Sequence, residues 1–319
     1  MDRRKFLKAS FSGGAALAAG AVSCPAAARD NKPLPPDAVG LLFDSTLCVG
    51  CKACVKACKE ANGMPVEFST EDRLWDTPLD ISGKTLNVIK MYRDGAGTHK
   101  DRETDGYAFV KKSCLHCVDP SCVSACPVSA MRKDPHTGVV SYDKDACIGC
   151  RYCVAACPFG VPRFTYDSPA PRISKCQLCQ HRWKDGRYAA CAEVCPTGAT
   201  LYGKVADLKR EIARRRGLKP GAETEMPRGR LGGPDQSYPA LVGKYVDHVY
   251  GEKEVGGTQL LMLAGVPFEK LGYPKLPERS FAATSETLQH TLYGGLVAPL
   301  ALLGVLTYVA KRNVKPEDE

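Results

Sequence analysis

The segment 110–162 reads VKKSCLHCVDPSCVSACPVSAMRKDPHTGVVSYDKDACIGCRYCVAACPFGVP and contains two groups of four cysteines, each followed by proline. Another group precedes this segment and a fourth follows it, so sixteen of the 17 cysteines in the 319 residues are grouped in fours. The groups are Cys48, Cys51, Cys54 and Cys58; Cys114, Cys117, Cys122 and Cys126; Cys147, Cys150, Cys153 and Cys157; and Cys176, Cys179, Cys191 and Cys195. This density indicates cofactors that each bind four thiolates, not thiols placed only for packing.

The spacing within the groups is more specific than their number. The first and third groups read C-x2-C-x2-C-x3-C. In this run bacterial ferredoxins place three thiolates on one [4Fe-4S] cluster and direct the fourth to another cluster. The second and fourth groups lengthen the middle spacing and keep the final C-x3-C-P. Because every cysteine position is filled, the sequence predicts four [4Fe-4S] clusters.

Two other uses of the cysteines are weaker interpretations. A disulfide framework joins distant segments, whereas C-x2-C-x2-C places its cysteines in one tight turn. A structural zinc site joins two C-x2-C knuckles across a spacer, and the fourth group fits that pattern better than the others do. A periplasmic structural protein with zinc or disulfides is therefore the alternative from a different functional class.

Residues 1–28 have the pattern of a twin-arginine signal peptide. Arg3 and Arg4 precede an uncharged stretch, residues 9–28, that ends in three alanines. Export of an already folded chain suits clusters that are assembled in a reducing compartment. Cys24 would then leave with the peptide. The alternative is lipoprotein cleavage before Cys24, which would leave a lipidated N-terminus.

A single transmembrane helix is predicted at residues 289–311. Residues 292–310 carry no charge, and these 19 residues at about 1.5 Å each match the roughly 30 Å apolar core of a bilayer. Lys311 and Arg312 follow, and basic residues favour the cytoplasmic side of the membrane. We therefore expect residues 312–319 to be a cytoplasmic tail and the body to lie at the periplasmic face of the cytoplasmic membrane.

The net charge of +9 does not indicate a nucleic-acid partner. Four basic side chains and one acidic side chain belong to the predicted signal peptide. Each [4Fe-4S] cluster with its four thiolates adds about −2, which brings the exported protein close to neutrality. The sequence also contains no motif for substrate chemistry, so an enzyme active site is not predicted.

We predict an α+β fold for the electron-transfer domain at residues 29–205. Residues 106–110 and 138–142 have the apolar composition of short strands, and residues 134–138 have that of a turn. The loop at residues 180–190 is expected to be solvated or to touch a partner.

The region from residue 206 to 288 is rich in Pro and Gly, and we expect it to be an irregular, extended segment that docks on a partner. Within it, residues 209–216 have the composition of a basic surface helix that ends at Gly217.

Several polar side chains lie close to the cysteine groups. Lys111, Lys112, Arg151 and Lys175 are expected to be solvated, with a role in raising cluster potentials as the alternative. His116 lies between two cysteines and is expected to pack or to bind backbone groups rather than a metal.

The order of the groups resembles that of the ferredoxin-type electron-transfer subunits of periplasmic respiratory oxidoreductases. Within that family the chain is most similar to the membrane-anchored iron–sulfur subunit of hydrogenase-2-type nickel–iron hydrogenases. The similarity includes residues 250–258, YGEKEVGGT, and residues 265–269, GVPFE, together with the leader and the membrane helix. The resemblance implies two nested ferredoxin-like units, the inner one at about residues 106–165.

The resemblance also implies how the cysteines are shared among the clusters, because the two runs of a ferredoxin unit exchange their fourth ligands. The implied sets are set 1, Cys48, Cys51, Cys54 and Cys195; set 2, Cys58, Cys176, Cys179 and Cys191; set 3, Cys114, Cys117, Cys122 and Cys157; and set 4, Cys126, Cys147, Cys150 and Cys153.

The function implied by the resemblance is non-catalytic electron transfer. The partners would be the small and large subunits of a hydrogenase and an integral membrane quinone-reactive subunit. The alternative within this functional class is the equivalent subunit of a formate dehydrogenase or of another molybdenum oxidoreductase.

Overall fold

The computed structural model describes residues 28–67, 77–167, 171–233 and 237–313. The predicted signal peptide up to residue 27, with Cys24, and the tail from residue 314 onward lie outside the described residues. The chain divides into two compact units. The first is residues 31–282, and the described part of the second is residues 28–30 and 283–313.

The described residues form short helices and small sheets. The strands are β1 (Val39–Asp44), β2 (Asn87–Arg93), β3 (His99–Lys100), β4 (Gly106–Ser113), β5 (Met131–Lys133), β6 (Val140–Tyr142), β7 (Arg163–Phe164), β8 (Ile173–Ser174), β9 (Thr200–Lys204), β10 (Glu223–Pro227), β11 (Gly229–Arg230), β12 (Ser237–Leu241) and β13 (Leu260–Leu263). The helices are α1 (Ala53–Ala61), α2 (Ser121–Ser124), α3 (Tyr152–Ala156), α4 (Ala190–Glu193), α5 (Val205–Gly217) and α6 (Phe281–Asn313), with 3-10 helices at Gln180–Asp185 and Glu254–Gly256. This is the mixed helix and strand composition that the sequence predicts.

The largest sheet joins segments that are far apart in sequence. Its order is β11-β9-β1-β13, with β1 antiparallel to β9 and parallel to β13. Leu42 of β1 lies opposite Leu201 on one side and Leu261 on the other, and all three side chains are buried. Because β1 precedes the first cysteine group and β9 follows the fourth, this sheet brings the outermost groups together.

The helices bring the cysteine groups together in the same nested order. The third cysteine of every group lies in a short helix: Cys54 in α1, Cys122 in α2, Cys153 in α3 and Cys191 in α4. Helix α1 packs against α4, and α2 packs against α3. The first group is therefore next to the fourth, and the second group is next to the third.

The short strands and the turn predicted in the inner part of the chain are confirmed. Strands β4 and β6 cover residues 106–113 and 140–142. In the turn before β6, one carboxylate oxygen of Asp134 accepts hydrogen bonds from the backbone N–H groups of His136 at 2.9 Å and Thr137 at 2.6 Å.

The region 206–288 differs from the expected irregular segment. The predicted basic helix is present as α5, but β10 and β12 also form a two-stranded antiparallel sheet, and β13 lies in the largest sheet. The four residues of β13 are each at most 1% exposed. A short apolar run of this kind forms a strand only when it pairs with another strand, here β1. The Pro and Gly residues around it favour an irregular segment instead, so the sequence does not indicate this pairing.

Helix α5 supports the segment that leads into the first cysteine group. Arg215 is fully buried, and its guanidinium donates to Asp44 Oδ2 at 2.8 Å and to Glu211 Oε1 at 2.8 Å. Asp44 ends β1 and also accepts a hydrogen bond from the backbone N–H of Thr46 at 3.0 Å. The buried ion pair therefore fixes the backbone immediately before Cys48.

The second unit contains most of helix α6. The part from Phe281 to Arg312 is long and apolar enough to cross a membrane, with a mean hydropathy of 1.8 in its most apolar window. The predicted membrane segment at residues 289–311 lies inside this helix, which begins earlier than expected, at Phe281. Near the start of the unit, Arg29 Nε donates to Glu286 Oε2 at 2.8 Å.

Candidate metal centres

The first set of cysteines lines one small cavity. Cys48, Cys51 and Cys54 border it from the first group, and Cys195 borders it from the fourth. Phe43 and other apolar residues also line it, together with Lys52 and two threonines. The structure therefore brings together the four cysteines of set 1, from both ends of the cysteine-rich region.

The cysteines of the second set also lie close to one another, as the surroundings of Cys58 and Cys176 show. Burial, together with the neighbouring thiolates of Cys191 and Cys179, raises the pKa of the Cys58 thiol to about 12. Cys176 has Cys58, Cys179 and Cys191 among its electrostatic neighbours, and its pKa is also raised, first by burial. All four cysteines of set 2 are thus neighbours.

The third and fourth sets belong to the inner part of the chain. Cys117 has the thiolates of Cys122, Cys157 and Cys114 around it. In set 4, burial raises the pKa of Cys153 to about 11, with further contributions from Cys126, Cys147 and Cys150. The structure places the four cysteines of set 3 near one another, and it does the same for the four cysteines of set 4. The assignment of each set to one cluster is a prediction.

A repeated backbone turn presents the cysteines. The residue before the second cysteine has a positive φ in every group: Gly50 (69°), His116 (50°), Gly149 (74°) and Leu178 (50°). Glycine adopts this conformation without steric cost, whereas a side chain makes it unfavourable. His116 and Leu178 therefore hold a strained turn that the two glycines adopt freely.

Backbone N–H groups point at several of the sulfur atoms. Gly149 donates to Cys147 Sγ, and Leu178 donates to Cys176 Sγ at the equivalent position, both at 3.4 Å. In the same way, backbone N–H groups approach the last cysteines of the third and fourth groups: Val161 to Cys157 Sγ at 3.5 Å and Thr200 to Cys195 Sγ at 3.4 Å. Hydrogen bonds to sulfur stabilise thiolates and tune the potential of an iron–sulfur cluster.

These features fit [4Fe-4S] clusters. Burial opposes ionisation of the thiols, so four thiolates at neutral pH require metal cations among them. All sixteen cysteines in the described residues are free of disulfides. Within the same residues, no three Cys, His, Asp or Glu side chains are arranged to hold a single metal ion. A four-iron cluster, which takes four thiolates, is the group that matches this donor set.

The four sets follow one another in a series. Cys54 of set 1 has Cys191 of set 2 among its electrostatic neighbours. Cys176 of set 2 has Cys114 of set 3. Cys122 of set 3 has Cys153 of set 4. Sets 1 and 4 form the two ends of the series, and each contains one exposed cysteine, Cys51 and Cys150.

The expectation that the flanking cations are solvated is wrong for two of the four. Lys111 is 0% exposed and Lys175 is 4% exposed, whereas Arg151 is exposed and Lys112 pairs with Asp80 near the surface. The sequence signal was weak, because Lys111 and Lys112 are adjacent charges near the end of strand β4. Which of the two points inward depends on the pairing of β4 with β2.

The electrostatics of Lys111 explain how a buried ammonium is retained. Burial by itself lowers the pKa of Lys111. The thiolates of Cys191, Cys54, Cys58 and Cys176 outweigh this effect and raise the pKa above its ordinary value. Lys111 is therefore protonated at neutral pH.

His116 behaves as expected from the sequence. It is 1% exposed, and its Nδ1 accepts a hydrogen bond from the backbone N–H of Val140 at 3.1 Å. Burial is the main cause that lowers the pKa of this imidazole well below its ordinary value, and nearby Lys175 and Lys133 contribute. The imidazole is therefore neutral and holds the backbone of β6.

The loop from residue 180 to 190 is not simply solvated. Its first part is a 3-10 helix, and Arg182 in this helix is 7% exposed. The guanidinium of Arg182 donates to the carbonyl of Tyr188 at 2.8 Å and to Glu193 Oε2 at 2.5 Å. These bonds fix the insertion against α4, which carries Cys191.

The fold and the cysteine sets define an electron-transfer iron–sulfur protein of the ferredoxin type. The family model described as a 4Fe-4S dicluster domain matches residues 106–205. The hydrogenase-2 operon protein HybA of Escherichia coli O157:H7 is 48% identical over 320 residues, 99% of this chain and 96% of that protein. The chain belongs to the HybA family.

Formate dehydrogenase iron–sulfur subunits are more distant relatives. The nitrate-inducible subunit of Escherichia coli strain K12 is 30% identical over 295 residues, which cover 92% of this chain and 88% of that protein. The predicted resemblance to hydrogenase-2-type iron–sulfur subunits is thus confirmed, as are the electron-transfer class and the [4Fe-4S] cofactors. The alternative of a zinc or disulfide structural protein is not supported.

The two motif glycines provide a matched pair for a mutational test. We expect Gly149→Ala to cost about 1–2 kcal/mol, since alanine is strained at positive φ. Gly50→Ala should be more damaging, because its Cβ would lie 2.4 Å from Phe109 Cε1, whereas at Gly149 the nearest atom is 3.7 Å away. The measurement is the guanidinium concentration at which half of the cluster absorbance is lost. Equal midpoints for the two variants would contradict this account of the turn.

Proposed function

We propose that the sixteen described cysteines hold four [4Fe-4S] clusters in the four sets of neighbours named above. The observation that carries the proposal is the unbroken series of sets, linked through Cys54 and Cys191, Cys176 and Cys114, and Cys122 and Cys153. Each cluster, when bound, accepts and releases one electron. The chain supplies the thiolates, the hydrogen bonds to sulfur and the spacing that such transfer requires.

We further propose that the protein carries electrons between a periplasmic hydrogenase, with its small and large subunits, and an integral membrane quinone-reactive subunit. Membership of the family that includes a hydrogenase-2 operon protein supports the first partner. Helix α6 supports the second, because a membrane-spanning anchor would hold the protein beside a membrane subunit. Exposed Cys51 and Cys150, at opposite ends of the series, suit entry and exit of electrons.

The proposed location is the periplasmic face of the cytoplasmic membrane. The twin-arginine pattern at the N-terminus directs the folded body outward. Lys311 and Arg312 at the end of α6 favour a cytoplasmic C-terminus. Both signals give the same orientation, so the cysteine sets would face the periplasm together with the hydrogenase.

The exchange of the fourth ligands between groups can be tested with two double variants. Cys48 and Cys195 belong to different groups but to the same proposed set, so Cys48→Ala/Cys195→Ala should remove one cluster, or about four irons. Cys191 and Cys195 belong to the same group but to different sets, so Cys191→Ala/Cys195→Ala should remove two clusters, or about eight irons. Iron and protein analysis of the purified chains measures both losses.

Ligation confined to each sequence group predicts the reverse order, with the larger loss in the first double variant. That result would overturn the proposed sets while leaving [4Fe-4S] binding intact. The single variant Cys195→Ala is the common control, since it is shared by both double variants and should remove about four irons by itself.

The role of helix α6 is tested by a chain that ends after Ser285. Loss of the apolar helix should move the protein from the membrane fraction to the soluble fraction while its clusters are retained, because the cysteine sets lie in the first unit. We also expect hydrogen-dependent quinone reduction to be lost. Cell fractionation, visible absorbance and quinone reduction in membranes provide the readouts.

The control for the truncation is reduction of a soluble dye that accepts electrons directly from the hydrogenase, which should remain unchanged. Quinone reduction at the full-length rate by the truncated chain would contradict the proposed role of α6.

A further inference from the structure

Two ammonium groups are buried where neighbouring cysteine sets meet. We propose that Lys111, between sets 1 and 2, and Lys175, between sets 2 and 3, set the reduction potentials of the clusters held there. The inference rests on the proposed function, in that the sets must hold clusters. It gives two lysines that are not part of the cysteine motif a role in tuning the clusters.

Lys111 is held in place by a hydrogen bond to Asn87, and its side chain also forms a hydrogen bond with Cys191. Its Nζ donates to Asn87 Oδ1 at 2.8 Å, and the side chain is fully buried. Asn87 is itself oriented by a hydrogen bond from its Nδ2 to the carbonyl of Cys54 at 3.0 Å. The thiolates that act on the ammonium come from set 1 (Cys54) and from set 2 (Cys58, Cys176 and Cys191). The positive charge therefore lies between these two sets.

Lys175 has the equivalent position at the next junction. Its Nζ lies 4.0 Å from Cys114 Sγ of set 3 and donates to the carbonyl of Cys176, a set 2 residue, at 2.9 Å. A further hydrogen bond goes to the carbonyl of Val140. The ammonium also acts on Cys122, another residue of set 3. Strand β6 and the cysteine backbone thus fix this charge between sets 2 and 3.

The physical effect follows from the charges of a bound cluster. With four thiolates an oxidised [4Fe-4S] cluster carries about −2, and uptake of one electron from its neighbour takes it to about −3. A fixed positive charge stabilises the reduced form more than the oxidised form and so raises the reduction potential. The same ammonium also weakens the repulsion between two adjacent negative clusters, which would otherwise oppose reduction of both.

The fourth set provides a contrast within the same molecule. The principal electrostatic neighbours of Cys153 are the thiols of its own set, Cys126, Cys147 and Cys150, and the main effect on its ionisation is burial. The nearby Arg151 is exposed and lies over the Phe164 ring at 5.4 Å. Removal of Lys111 should therefore leave the potential of the set 4 cluster unchanged.

The test is a potentiometric titration followed by low-temperature EPR on the full-length protein in its membrane complex. In Lys111→Met the ratio of reduced to oxidised cluster at a fixed ambient potential should fall by at least about tenfold for two of the four clusters. Lys175→Met should produce the same kind of shift, with one of the affected clusters in common. Lys111→Arg keeps the positive charge and should therefore titrate like the wild type.

Lys112→Met is the matched control, because Lys112 is the next residue of the same strand but pairs with Asp80 at 3.0 Å near the surface. It should leave all potentials unchanged. Asn87→Asp removes the net positive charge at this place in a second way, because a carboxylate beside the Lys111 ammonium neutralises it while the lysine side chain stays. It should lower the same two potentials as Lys111→Met.

The inference is overturned if Lys111→Met, Lys175→Met and Asn87→Asp titrate like the wild type while they retain its iron content. If one variant loses iron, the titrations of the other two decide. A wild-type chain that contains no [4Fe-4S] signal would instead contradict the proposed function, so the two failures are distinguishable.

Discussion

The structure depends on the burial of thiols that must become thiolates. Burial, together with the charge of neighbouring thiolates, raises the pKa of Cys48 and of Cys58 to about 12. Four such groups can share one small site only when metal ions neutralise them, so cofactor assembly and folding of this region are one process. The short helices, the repeated turns and the N–H groups directed at sulfur all serve this requirement.

The nested arrangement of the cysteine groups joins segments that are far apart in sequence into one folded unit. Cys48 and Cys195 lie at opposite ends of the cysteine-rich region but line the same cavity. The sheet that contains β1 and β9 joins the same two ends through hydrogen bonds. The proposed cluster and the sheet therefore cross-link the same two segments, and the inner groups lie between these segments in the sequence.

The sequence predicted the features that are encoded locally. The cysteine groups, strands β4 and β6, helix α5 and the apolar part of α6 each have a signal in a short window. Strand β13 could not be predicted, because its partner β1 lies more than 200 residues earlier, and a short buried run has no periodicity of its own. The inward direction of Lys111 was missed for the same reason, since it depends on the pairing of β4 with β2 and on thiolates from two groups, the first and the fourth.

The central claim is that sixteen thiolates hold four [4Fe-4S] clusters in series. Its most direct test is the iron and acid-labile sulfide content of the purified chain, measured together with the number of electrons that the protein takes up on full reduction. The account predicts about sixteen irons, about sixteen sulfides and about four electrons per chain. About eight irons with two electrons, or zinc in place of iron in any of the four sets, would contradict it.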